Sequence, residues 1–412
     1  MKRCFAGACV GLMVIGCNSS SAPNPGSMNK GGAGGSAGSP SAQAGGGSAN
    51  VAGSGTAAGG AGNGAGGALV GGAGSNTGSA GNPGSAGSPG SAGSPGSAGS
   101  PGSAGGPSTG SKCGPGPFTF VPPTGMAMKI AGTPPADAFN KDAWTNVEGP
   151  VWIGDSLYFS EMTSSNMMPP SRILKIAPGG AVSVFSADAG SNGLAVDASG
   201  NLIAALHKDG SVSQLSLTGG PATPLVSMYM SKRFTSPNDL AIRSDGTIYF
   251  SDPSYQNSAN PQGAERLYHV TPPPTRTVSP VAGAPSPPNG VTLSPDEKTL
   301  YVAANNGGLK KFTVMSDGSL SAPSDFVAGS GGDGMAVDCA GDVFVTGNGA
   351  STVRVYSPAG ALLTTIQLAN GGNSTNVAFG GADRKTLYIT AQGTEGQRGV
   401  YSIALSVPGF PY

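Results

Sequence analysis

Short polar elements recur through the last three hundred residues of the chain, and each contains an amide or a carboxylate. They are Val147-Glu148-Gly149, Ser191-Asn192-Gly193, Pro237-Asn238-Asp239, Pro288-Asn289-Gly290, Gly332-Asp333-Gly334 and Thr375-Asn376-Val377. Carboxylate and amide oxygens are the hard donors that Ca²⁺ prefers. If the elements meet in the fold, they form a site for Ca²⁺ or another divalent cation. The alternative is that the Asn-Gly and Asp-Gly pairs are simple turns.

Each polar element precedes a short apolar or β-branched segment at a nearly constant distance. These segments are Leu157–Ser160, Leu202–Ala205, Ile248–Ser251, Leu300–Ala303, Val343–Thr346 and Leu387–Thr390. They recur about every 45 residues, which is typical of propeller blades. We therefore predict an all-β, six-bladed β-propeller over residues 113–412. Equivalent positions in the blades are related by rotation, so the polar elements should form a ring around the central channel.

The N-terminal part has a different composition. The chain has 72 Gly among 412 residues and only 10% charged residues. Both features come from the Gly/Ser/Ala/Pro-rich stretch before residue 113, which has too little apolar surface to fold alone. We predict a disordered linker over residues 17–112. Between Gly78 and Pro107 glycine recurs at every third position, which resembles collagen, but a flexible tether is the interpretation that we favour.

The first residues resemble a bacterial export signal. Lys2 and Arg3 precede an apolar run that is too short to span a bilayer. The run ends in Val14-Ile15-Gly16-Cys17, which resembles a lipobox. We predict a lipoprotein signal peptide over residues 1–16, lipidation of Cys17 and a location in the cell envelope, with the lipid as the only membrane contact. The alternative is a plain secretory signal.

The remaining composition limits partners and cysteine chemistry. The formal net charge is zero, and the chain has no basic block, which argues against a nucleic-acid partner. We predict a monomeric head domain. Cys113 and Cys339 remain in the exported chain, where they form either one disulfide or two separate thiols. Only His207 and His269 are present, so a histidine-rich zinc site is excluded.

Several motifs resemble one known family. They are Asn146-Val147-Glu148-Gly149-Pro150-Val151-Trp152, Ser236-Pro237-Asn238-Asp239-Leu240, Tyr249-Phe250-Ser251-Asp252-Pro253, Pro288-Asn289-Gly290-Val291, Asp333-Gly334-Met335 and Thr375-Asn376-Val377-Ala378-Phe379-Gly380-Gly381. They resemble the gluconolactonase/regucalcin (senescence-marker-protein-like) family of calcium-dependent propeller hydrolases. The resemblance implies one divalent cation in the channel and hydrolysis of a sugar lactone. Related branches cleave other lactones or organophosphates.

The resemblance also assigns residue roles. It implies that Glu148, Asn289 and Asp333 bind the metal, and that Asn238 is a ligand or a substrate contact. Asn192 lies in a similar Asn-Gly-Leu element and is expected to line the same cavity. These roles follow from the family pattern and not from spacing alone.

The expected chemistry is attack of metal-activated water on a lactone carbonyl. A bound cation stabilises the oxyanion and acidifies water. Asp333 would act as general base or as nucleophile, with Asn238 beside it. His207 is a second candidate base or substrate contact, and Arg233 a candidate for binding a substrate carboxylate or hydroxyl group. The alternatives are a structural histidine and a solvated arginine.

Two classes of function remain open at this point. The first is an enzyme, a lactonase or a related ester or organophosphate hydrolase. The second is a non-catalytic surface module whose metal only braces the propeller. The identity of the lactone does not follow from the sequence.

Overall fold

The structure is a computed structural model that describes residues 112–130, 132–136, 144–162, 170–305, 307–347 and 349–411. The predicted signal peptide, Cys17 and the linker up to residue 111 lie outside these ranges. Within the described ranges no helix is long and apolar enough to cross a bilayer.

The described chain forms six four-stranded antiparallel sheets and one small hairpin. The first strand, β1 (Met128–Lys129), belongs to the last blade. Blade 1 consists of β2 (Asn146–Ile153), β3 (Ser156–Met162), β4 (Ser171–Ile176) and β5 (Val182–Ser186). Blade 2 consists of β6 (Ser191–Val196), β7 (Leu202–Leu206), β8 (Ser211–Leu215) and β9 (Thr223–Val226). The hairpin consists of β10 (Met228–Tyr229) and β11 (Lys232–Arg233).

The other blades follow in the same way. Blade 3 consists of β12 (Leu240–Ile242), β13 (Ile248–Asp252), β14 (Arg266–Val270) and β15 (Val278–Pro280). Blade 4 consists of β16 (Pro288–Leu293), β17 (Thr299–Ala304), β18 (Gly308–Thr313) and β19 (Ser324–Val327). Blade 5 consists of β20 (Met335–Val337), β21 (Val343–Thr346), β22 (Thr352–Tyr356) and β23 (Leu362–Gln367). Blade 6 consists of β24 (Asn373–Gly380), β25 (Thr386–Gln392) and β26 (Gly399–Ala404), with β1 at its outer edge.

The first strands of the blades form a closed ring. Strand β2 contacts β6, β6 contacts β12, and the contacts continue through β16, β20 and β24 back to β2. Blade 6 is completed from the other end of the chain, because Met128 pairs with Ser402 and Lys129 with Tyr401. The six-bladed propeller predicted from the repeat is therefore confirmed.

The predicted apolar segments are the second strands of the six blades. They are buried because each blade packs its faces against both neighbours; Phe159, Tyr249 and Phe344 are fully buried examples. Each of these three residues belongs to a hydrophobic cluster that lies between two successive sheets. Burial on both faces explains why these segments appear in the sequence as continuous apolar runs.

The end of the chain closes the channel on the side opposite the starts of the first strands. Phe410 donates its backbone N–H to Val337 O (3.0 Å), and Cys339 donates to Pro408 O (2.9 Å). Cys339 also forms a disulfide with Cys113, with 5.5 Å between the Cα atoms. The two ends of the described chain are thereby fixed on blade 5.

Candidate functional site

The predicted polar elements meet at one end of the channel. Four of the ring residues lie in the first halves of β2, β6, β16 and β24; they are Glu148, Asn192, Asn289 and Asn376. Asn238 and Asp333 lie two residues before the starts of β12 and β20. All of these side chains are buried except Asp333, which is partly exposed. One polar residue from every blade therefore faces a common region, as the repeat predicts.

The glycines beside these residues permit close approach of the blades. A Cβ atom on Gly149 would collide with the carbonyl of Asn192, and one on Gly290 would collide with the carbonyl of Asp333. The strand register also shifts between Glu148 and Val151, which is a β-bulge. Asn192-Gly193 and Asn289-Gly290 lie within strands β6 and β16, so the alternative that they are simple turns is wrong for these two pairs.

Three carboxyl groups share this end of the channel. Burial raises the pKa of Glu148, and the charges of Asp333 and Asp239 raise it further. Burial and the charge of Asp239 raise the pKa of Asp333 to about 7. Burial likewise raises the pKa of Asp239 to about 7. Three charged carboxylates at one end of the channel oppose folding unless they bind protons or a cation.

Asp239 is a site residue that the sequence reasoning missed. Its Oδ1 accepts the N–H of Leu240 (2.9 Å), and its Oδ2 accepts the N–H of Val291 on the neighbouring blade (3.1 Å). The repeat drew attention to Asn238, which stands in register with the other ring residues. The adjacent acid in Pro237-Asn238-Asp239 was the available signal.

The donor set fits a hard divalent cation. The amide nitrogen of Asn289 donates to Asn305 Oδ1 (2.8 Å), which orients the Asn289 side chain. Glu148 and Asp333 supply charge beside it. Among the described residues, no three His, Cys, Asp or Glu side chains are arranged to hold a metal by themselves. A cation bound here would therefore need amide oxygens among its ligands, a donor set that suits calcium better than zinc.

Asn238 is held in place by the strand and loop that follow it. Its N–H donates to Ser251 O (2.9 Å). The buried carboxylate of Asp252 accepts the N–H groups of Thr235 (2.9 Å) and Ser236 (2.6 Å), which stand three and two residues before Asn238. The backbone of Asn238 and of the residues before it is therefore held by β13.

His207 lies in a small polar network between blades 1 and 2. Its Nε2 is 3.2 Å from Ser171 Oγ, which also donates to Ser191 O (2.9 Å). Burial lowers the pKa of His207 to about 4, so the ring is neutral near pH 7. The Nδ1 atom of His207 and the amide nitrogen of the neighbouring Asn192 are buried, and neither has a hydrogen-bond partner among the described residues.

Arg233 lies at the rim in the β10–β11 hairpin. It is exposed, and its guanidinium donates to Lys208 O (3.0 Å) and Phe234 O (3.3 Å). These contacts brace the hairpin against the neighbouring turn. They do not bring the guanidinium to the three carboxyl groups at the end of the channel.

Fold and donor set together define a class, a six-bladed propeller with an oxygen-rich candidate metal site at one end of its channel. Residues 147–393 match the family described as the SMP-30/Gluconolactonase/LRE-like region. The match covers more than half of the chain, and the protein belongs to this family. The resemblance seen in the motifs is thereby confirmed.

Individual known proteins are also similar to the chain. A gluconolactonase of Zymomonas mobilis is 29% identical over 280 residues, which are 59% of this chain and 75% of that protein. A 6-deoxy-6-sulfogluconolactonase of Pseudomonas putida is 38% identical over 109 residues, 25% of this chain and 37% of that protein.

Among solved structures, a gluconolactonase of Xanthomonas campestris has a TM-score of 0.55 and 28% identity, and covers 71% of this chain and 100% of its own. A calcium-binding protein, regucalcin of Agrobacterium tumefaciens, has a TM-score of 0.51 and 18% identity, with coverage of 69% and 98%. This second likeness shows the fold alone.

Proposed function

We propose that the protein hydrolyses a lactone, with a sugar lactone such as gluconolactone as the first candidate. The observation that carries the proposal is the meeting of Glu148, Asn289 and Asp333 at one end of the channel in a member of this family. The gluconolactonase names of the similar proteins support the substrate class.

Glu148, Asn289 and Asp333 would hold a divalent cation, with Asn238 as a further ligand or as a substrate contact. When bound, the cation would stabilise negative charge on the lactone carbonyl oxygen and acidify water. Asp333 would accept the proton of the attacking water. The water oxygen would bond to the carbonyl carbon and the ring C–O bond would break. The proton held by Asp333 would then pass to the ring oxygen, which leaves as a hydroxyl group. In this mechanism Asp333 is a general base; the alternative is that its carboxylate attacks the carbonyl carbon itself.

The test is hydrolysis of glucono-δ-lactone followed in a pH-stat, before and after removal of calcium with EGTA and after its return. We expect turnover above the spontaneous rate that is lost with EGTA and restored by calcium.

A second function, a non-catalytic module braced by metal, predicts a rise in melting temperature with calcium and no turnover of lactones. Turnover of a phosphotriester but not of lactones would favour the organophosphate branch.

We also propose that the head domain is a monomer tethered to the cell envelope through lipid on Cys17. The sequence Val14-Ile15-Gly16-Cys17 supports this proposal. Replacing Cys17 with Ser should move the protein from the membrane fraction to the soluble fraction, because the acyl chains are the proposed membrane contact. Unchanged membrane fractionation would contradict it.

A further inference from the structure

Polar atoms around the ring divide into two sectors. Glu148, Asn289 and Asp333, the three residues assigned to the cation, come from blades 1, 4 and 5. Blades 2 and 3 instead present buried polar atoms without a hydrogen-bond partner among the described residues. They are Asn192 Nδ2, His207 Nδ1 and the hydroxyl of Tyr255. A buried polar atom without a partner costs roughly 1–3 kcal/mol, so each of these atoms marks a position where a ligand can supply the partner.

Tyr255 is the member of this group that stands on a loop, between β13 and β14. Both of its neighbours are anchored. Ser254 donates its N–H (3.0 Å) and its hydroxyl (2.6 Å) to Glu265 Oε1. On the other side, Ser236 Oγ donates to Gln256 Oε1 (2.7 Å). The backbone around Tyr255 is thereby fixed.

The second anchor ties Tyr255 to the candidate site itself. Ser236 lies two residues before Asn238, so the loop that carries Tyr255 and the segment that carries Asn238 are hydrogen-bonded to each other. The tyrosine hydroxyl also lies within the electrostatic influence of Asp333. Burial and that negative charge raise the pKa of Tyr255, so its hydroxyl stays protonated and acts as a hydrogen-bond donor.

We propose that the hydroxyl of Tyr255 donates a hydrogen bond to a hydroxyl oxygen of the substrate and makes the protein select polyhydroxylated lactones over unsubstituted ones. This rests on the proposed lactonase function and specifies its substrate class. A site built to bind a substrate hydroxyl discriminates strongly against an analogue that lacks it, because the protein donor is then left buried and unpaired.

The test uses the full chain saturated with calcium, and the variant Tyr255→Phe. We expect kcat/KM for glucono-δ-lactone to fall about 10- to 100-fold, which corresponds to one lost buried hydrogen bond. For δ-valerolactone, which has the ester but no ring hydroxyls, kcat/KM should stay within about twofold. An equal loss on both lactones, or no loss on either, would overturn the assignment.

The matched control is Tyr249→Phe in the same blade. The hydroxyl of Tyr249 donates to Gly318 O (2.6 Å) in the connection between β18 and β19 of blade 4. Its removal should lower the melting temperature and leave the ratio of the two kcat/KM values unchanged. A changed ratio in this control would show that discrimination follows general loosening of blade 3, and would overturn the role of Tyr255.

A binding measurement separates this inference from the proposed function. Calorimetry with 1,5-anhydro-D-glucitol, a polyol that cannot be hydrolysed, should show weaker binding to Tyr255→Phe than to the natural protein. If the natural protein hydrolyses neither lactone, the proposed function fails, and weaker polyol binding by the variant would still support the contact. Equal polyol binding, or none by the natural protein, would overturn the contact as well.

Discussion

The two ends of the axial channel are built from the same six strands and differ sharply in chemistry. At one end lie Glu148, Asp239 and Asp333, whose pKa values are all raised. Towards the other end the same strands enclose a cavity of about 170 Å³. Its lining is mainly apolar and includes Val151 and Phe410, and it reaches Asp239 and Asn376 of the site. The first strand of a blade therefore carries polar site residues near one end and apolar packing residues towards the other.

The two ends make opposite contributions to the free energy of folding. Buried carboxylates with raised pKa values oppose folding near neutral pH. The apolar halves of the same strands, the C-terminal segment and the disulfide contribute stability at the other end. Substitutions at the site end should therefore change activity, and those at the closed end should change stability.

The largest effect is expected for Asp333→Asn. The amide keeps an oxygen donor but cannot accept a proton, so kcat at saturating calcium should fall by about 10²- to 10⁴-fold. Steady-state kinetics on glucono-δ-lactone, with calcium titrated for each protein, provides the measurement. Near-natural kcat would mean that Asp333 is only a ligand, and His207 would become the next candidate base.

The matched control is Asp338→Asn near the closed end. Asp338 is fully buried and accepts the N–H groups of Ala340 and Asp342 (both 2.9 Å), and burial with the charge of Asp342 raises its pKa to about 7. Asp338→Asn therefore makes the same chemical change as Asp333→Asn, at a carboxyl group outside the site. Its kcat should stay within about twofold per folded molecule, as expected for a group that contacts no substrate.

The second prediction tests the closed end. Replacing both Cys113 and Cys339 with Ser should lower the free energy of unfolding by roughly 2–4 kcal/mol, because the unfolded chain loses a long covalent loop. Urea unfolding followed by tryptophan fluorescence would measure it. The kcat/KM value at a temperature where both proteins are folded should be unchanged; a large fall would show that the two ends are coupled.

The third prediction concerns calcium and pH. The raised pKa values mean that folded Asp333 and Asp239 bind protons that the unfolded chain has released, between about pH 4 and pH 7. Without metal, their contribution makes the protein more stable below this window and less stable as pH rises through it. Calcium should therefore raise the melting temperature little at pH 5 and most at pH 8, with about 2.7 kcal/mol at a hundredfold excess over Kd.

Differential scanning calorimetry with EGTA or calcium across that pH range checks the third prediction. The variant Asp338→Asn serves again as the control, since it should leave the size of the calcium effect unchanged. A calcium effect that is independent of pH would contradict binding at these carboxylates.

The smallest effect is expected for Arg233→Ala. Its guanidinium contacts backbone carbonyls of the rim, so kcat/KM for glucono-δ-lactone should change by no more than about threefold, as for most surface substitutions. A much larger loss of kcat/KM would show that Arg233 contacts the substrate and that the site includes the β10–β11 hairpin.

Much of the fold was readable from the sequence because its signals are local and repeated. The segments around Leu157, Ile248 and Leu387 are apolar runs that recur with the same polar element before them. Repetition at a fixed interval implies rotation about an axis, and rotation implies a ring. The order of the blades and the register of the ring follow from that pattern.

Other features could not be read in this way. The completion of blade 6 by β1 joins residues at opposite ends of the described chain, and no local pattern marks that pairing. Asp239 falls one residue outside the register of the repeat, and Tyr255 stands on a loop where the repeat gives no expectation. The pairing of Cys113 with Cys339 was one of two open alternatives until the fold placed the two residues together.

The sequence by itself thus determined the number of blades, the strands and the residue types of the ring, because composition and periodicity act over neighbouring residues. Only the tertiary structure decided which carboxylates share the channel, which polar atoms remain without partners and how the far end is closed. The physical reason is that a pKa shift or an unpaired donor depends on what surrounds a side chain in space. At the axis of a propeller, those surroundings come from six distant parts of the chain.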